Sequence, residues 1–79
     1  MPYIDPKTRA QLDKVSRPAT VGELNYVLTK VCLCYLGAEP SYSRINDIIG
    51  ALECCKQEIY RRVAAPYEDR KIAENGDVF

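Results

Sequence analysis

Residues 41–64, SYSRINDIIGALECCKQEIYRRVA, contain no proline and carry apolar residues at helical spacing. On a 3.6-residue period Ile45, Ile48, Ile49, Leu52, Cys55, Ile59 and Val63 fall on one broad stripe. Nearly opposite lie Gly50, Ala51 and Cys54, small residues that let a second helix come close. A helix with two such surfaces needs more cover than one short helix in the same chain supplies. The segment therefore predicts an all-α fold whose protomer is completed by homo-oligomerisation.

Upstream, Thr20-Val21-Gly22-Glu23 is a capping box, with the threonine hydroxyl accepting from an early N–H and Glu23 reaching back. It opens a helix over 21–36 that stops at Gly37, the residue type best suited to the left-handed end of a helix. Leu24, Leu28, Val31 and Tyr35 form its stripe, with Val21, Val27 and Cys32 at the edges. Tyr26 and Leu33, seven apart, face away and mark a second contact surface. The short link Ala38-Glu39-Pro40 predicts antiparallel neighbours on either side of it.

Earlier still, Asp5-Pro6 pairs an N-cap acid with proline at the first helical position. A helix over 6–16 follows, weakly patterned by Ala10, Leu12 and Val15 and closed by Pro18. Downstream, Pro66 predicts that the long helix ends at about residue 64, because the residue before proline disfavours helical angles. Residues 66–79 then read as a short ordered tail, with one helical turn capped near Asn75-Gly76 and a terminal apolar pair, Val78 and Phe79, of the kind that either frays or is fixed by docking on a partner chain. Residues 1–79 thus form one three-helix domain.

Eleven basic and eleven acidic residues cancel, which argues against general nucleic-acid or membrane-surface binding. Met1 is followed by Pro2, Tyr3, Ile4 and Asp5, so no secretory signal is expected, nor is there an apolar run long enough for a membrane span. The expected location is the cytoplasm. Cys32 and Cys34 point roughly 200° apart on one helix, and Cys54 and Cys55 diverge by about 100°. With no histidine to help, neither pair chelates a metal, and the thiols read as small packing residues.

The absence of histidine also removes the usual base of nucleophilic catalysis, and the four glycines stand alone without forming a phosphate loop. The chain reads as a non-enzyme without cofactor or metal. What it does hold is equipment for a flat anion. Tyr60, Arg61 and Arg62 stand together with Tyr67 nearby; guanidinium groups fork onto phosphates and tyrosine rings carry bases. Arg44 projects from the same side as Arg62, Asn46 offers a base-reading amide, and Lys56 sits in the apolar face between Glu53 and Tyr60, its stem covered and its charge wet.

Three blocks carry a likeness: VGELNY (residues 21–26), RINDIIGALECCKQEIYRR (44–62) and, most specific, APYEDRKIAENGDVF (65–79). Together they resemble a family of small proteins of tailed bacteriophages and prophages with no assigned catalytic role. By context, that resemblance implies similarity in kind to phage sponges that withhold cyclic dinucleotide signals of cGAMP type from host immunity. The ligand-binding set is then Arg61, Arg62, Tyr60, Tyr67, Arg44, Lys56 and Asn46. The oligomer interface is Gly50, Ala51, Cys54, Tyr26, Leu33, Val78 and Phe79. The expectation is sequestration of such a signal in interface pockets in the host cytoplasm, inhibiting antiphage defence. The alternative is a module that inhibits a host protein or serves phage assembly or replication.

Overall fold

The computed structural model describes residues 4–14 and 16–79. All regular structure among them is helical: α1 (Pro6–Leu12), α2 (Val21–Leu36), α3 (Tyr42–Ile59), a π-helical segment (Tyr60–Ala64) and α4 (Ala65–Asn75). Two compact units divide the chain, Met1–Ser41 and Tyr42–Phe79.

In the first unit, Asp5 caps α1 by accepting from the Thr8 N–H at 2.7 Å, with Pro6 at the first helical position. The helix closes after Leu12, where the Asp13 N–H reaches the Arg9 carbonyl at 2.8 Å. It is shorter than the 6–16 expected. So short a helix gains little from propagation, and Asp13 is a poor interior residue. Val15 lies outside the described residues. α1 and α2 do not pack on one another among the described residues.

The bounds of α2 follow its punctuation. Glu23 donates its N–H to Thr20 Oγ1 at 3.1 Å, and its carboxylate reaches back to accept from that same hydroxyl at 3.2 Å. Gly37 adopts a φ of 80° and donates to the Leu33 carbonyl at 3.1 Å. A side chain at that φ would be strained, which is why glycine ends the helix there.

The second unit departs from expectation at Pro66. α3, the π segment and α4 are continuous, giving 34 consecutive helical residues. The expected end at residue 64 and short tail with a single helical turn are corrected to a helix that runs on to Asn75, capped at the expected Gly76, which has a φ of 84°. Ala65 keeps helical angles, φ −62° and ψ −48°, despite preceding proline. The reason is the wider π turn. Proline in an α-helix lacks the N–H owed to the carbonyl four residues back and presses its ring on it. Here Ala65 donates to the Tyr60 carbonyl, five residues back, so the helix absorbs one extra residue and opens where the ring must fit.

No described residue is buried. Both long stripes stay open to solvent: Leu24, Val27, Leu28, Val31 and Tyr35 on α2, and Ile45, Ile49, Leu52, Ile59 and Val63 along α3 and the π segment, are each 39–63% exposed. No helix among the described residues is long and apolar enough to cross a membrane.

Candidate functional site

The polar surface of the second unit is organised by three carboxylates at helical i+3 and i+4 distances from cations. Glu58 is the hub. Arg61 bonds both its oxygens at 3.1 and 3.2 Å, and Arg62 Nε reaches Oε2 at 2.7 Å. The Glu58 side chain is only 25% exposed, whereas those of the two arginines are about 70% exposed, so guanidinium groups shield the carboxylate from water. The Arg61 guanidinium, seconded by Arg62, holds its carboxyl below the ordinary glutamate value.

One turn earlier, Glu53 accepts from the Gln57 amide at 3.2 Å and pairs with Lys56 at 3.1 Å. The Gln57 bond first, then Lys56, lowers its carboxyl too. The Lys56 side chain is 71% exposed, so its charge lies in water and its stem is largely open as well. Glu53, Lys56, Gln57, Glu58, Tyr60 and Arg61 line one shallow open depression. The structure therefore brings Tyr60, Lys56 and Arg61 together, with Arg62 joined to them through Glu58.

Tyr67 stands beyond the π segment with its own cations. The Arg70 guanidinium lies 5.6 Å and the Lys71 ammonium 5.5 Å from its ring centroid, both within cation–π range. Lys71 also meets Glu74 at 3.5 Å. Arg44 and Asn46 are not gathered into this region: they occupy the first turns of α3, about 25 Å along the helix from Arg61. A small ligand touches both ends only if another chain supplies one of them.

Glu58, Arg70 and Lys71, which the candidate set from the sequence does not include, join these clusters in the structure. Their signal lay in the spacing, Glu58 to Arg61 and Arg62, Tyr67 to Arg70 and Lys71, each at i+3 and i+4.

The expected contact surfaces are open. A Cβ placed on Gly50 would meet nothing within 4 Å, and Ala51 and Cys54 are exposed beside it. Tyr26 and Leu33 are exposed on α2, and Val78 and Phe79 are fully so. Cys34, Cys54 and Cys55 are exposed free thiols and Cys32 is half-buried, so none of the four is enclosed as a packing residue among the described residues. No group of three or more metal-ligating residues occurs among the described residues.

Each helical unit thus carries an uncovered apolar stripe, and the second adds a basic, tyrosine-bearing helical surface. The chain belongs to the family described as a domain of unknown function, DUF6899, which it matches over residues 1–78. No curated protein and no solved structure matches it.

Proposed function

We propose that the protein is a self-associating, non-catalytic binding protein that holds a nucleotide-class anion on the surface around Tyr60, Arg61, Arg62 and Tyr67. The observation that carries this reading is the uncovered apolar stripe in each unit, together with the organised Tyr/Arg surface of the second. Each half-exposed Leu, Ile or Val forgoes roughly 1 kcal/mol of burial. A second copy of the chain recovers it without electrostatic penalty, since net charge is zero and the described ion pairs of the second unit are satisfied within their own helix. Association also adds polar groups that lie too far along the helix to reach the site in one chain. Arg44 or Asn46 of one copy then meets Arg61 and Arg62 of another.

Guanidinium forks for phosphate and tyrosine faces for bases match a cyclic dinucleotide, whose two phosphates suit a two-fold site. Retention without turnover withholds such a signal from its receptor, and in a phage setting this is an anti-defence role. Native mass spectrometry in the presence of cyclic GMP–AMP tests the reading. The expected spectrum is an oligomer retaining ligand, with Arg61→Ala/Arg62→Ala losing the ligand and keeping the oligomer mass. A wild-type oligomer that takes up no ligand contradicts it.

A second reading is favoured by the same exposure, with Val78 and Phe79 added: the stripes engage a different protein. A monomer that acquires helix protection only when mixed with host lysate protein supports that alternative.

A further inference from the structure

The π segment sets the rotation of everything beyond it. Beyond an unbroken α-helix, Arg70 would lie about 80° around the axis from Arg62, and Tyr67 would lie some 140° away. One residue absorbed in the wide turn returns α4 by up to about 100° relative to α3, part of it falling after Arg62. Arg70 then comes within roughly 30° of Arg62, about 10 Å further along the same face, and Tyr67 moves towards the space between them. The widening thus joins two basic clusters, each already organised by side-chain contacts: Glu58–Arg61–Arg62 on one side and Tyr67–Arg70–Lys71 on the other.

We infer that residues 58–71 form one continuous site for a nucleotide with two separated phosphate groups, aligned by the π segment. Arg61 and Arg62 take one phosphate, Arg70 and Lys71 take the other, and Tyr67 carries a base between them. This rests on the nucleotide-binding reading above and extends it to two residues and a backbone feature outside that reading. The internal ion pairs match the same site. Glu58 holds Arg61 and Arg62 in a fork, and exposed pairs of this kind exchange readily for a phosphate. Tyr67 already lies against both cations of the second cluster, so a base stacked on its ring delivers its phosphate beside them.

The test measures cyclic GMP–AMP affinity by calorimetry for four proteins. Arg70→Ala/Lys71→Ala is expected to bind about tenfold or more weakly than wild type, the loss of charge-assisted phosphate contacts. Pro66→Ala removes the cause of the wide turn, lets the helix return to α geometry and swings α4 out of line; it too is expected to lose about tenfold while its helicity holds or rises. Pro66→Ala combined with deletion of Ala64 restores the alignment in an unbroken α-helix and is expected to recover affinity to within about threefold. Wild-type binding that Arg70→Ala/Lys71→Ala and Pro66→Ala leave unchanged overturns the aligned site while sparing the nucleotide reading. Loss in Pro66→Ala without recovery on deletion overturns the register role of the π segment. Absence of binding by wild type overturns both.

Discussion

α2 and the helical run from α3 to α4 are built from the same chemistry and held in opposite ways. α2 is a regular helix with only Glu23 and Lys30 charged, closed at both ends by its own residues, Thr20 and Gly37. The longer run crosses a proline, changes helix type on the way, and carries the described salt bridges. One is defined by its ends, the other by side-chain pairs along its length. Local punctuation suffices when nothing contradicts it. Where a helix must continue through a breaker, the backbone yields and the surface charges are arranged around the place where it yields.

The largest effects separate the two stripes. Leu52→Asp on α3 and Leu28→Asp on α2 each place a charge where an apolar contact is proposed. Each is expected to weaken self-association by at least about a hundredfold, from a lost leucine burial of roughly 1.5–3 kcal/mol plus the cost of a buried carboxylate. Sedimentation velocity measures it. If only one substitution dissociates the assembly, that helix carries the interface and the other faces solvent.

Next comes Pro66→Ala. An interior proline costs about 3 kcal/mol against alanine in an unrelieved helix, and the π turn relieves part of that. The variant should gain about 1–2 kcal/mol in thermal unfolding followed by circular dichroism. Gain of stability with loss of nucleotide would show that the widening is kept for its alignment. No change in stability would mean the π turn already removes the whole conflict.

Thr20→Ala acts on the other helix. Losing the N-cap is expected to cost about 1 kcal/mol and to raise amide exchange in the first turn of α2, leaving exchange in α3 unchanged. Protection lost in both would show that the two units stand or fall together.

The gentlest perturbation is pH. The carboxyls of Glu53 and Glu58 titrate below their unfolded value, so the stabilisation from their pairs is fully present only above the ordinary glutamate value of about 4.3 and disappears as pH falls through the lowered folded values. Helicity near the π segment should decline in acid below pH 4, and Glu58→Gln should flatten that decline. α2 carries a single carboxylate, Glu23 at its N-terminal cap, and no ion pair like those of Glu53 and Glu58 among its described contacts, so it should be less affected.

How much of this was readable beforehand follows from the same contrast. The bounds of α2, the Asp5 cap, the start of α3 and the Gly76 end of α4 were legible because each is decided within four residues. The passage through Pro66 was not. The proline rule weighs one residue against its predecessor, whereas the outcome here rests on the Ala65-to-Tyr60 bond, which exists only once both flanking helices are in place. Tyr60, Arg61, Arg62 and Tyr67 stood out by residue type. Glu58, Arg70 and Lys71 did not, because a charge run looks like solvated surface until its i+3 and i+4 partners are placed. Arg44 and Asn46 were grouped with them by chemistry alone, and the length of α3 keeps them apart in one chain.

The central claim, a protomer completed by its own copies, is tested most directly by sedimentation velocity of the wild-type chain over a range of micromolar concentrations, with Leu52→Asp alongside. The account predicts a defined oligomer for wild type and a monomer of reduced helicity for the variant. A wild-type monomer at every concentration, with full helicity and cooperative unfolding, would contradict it.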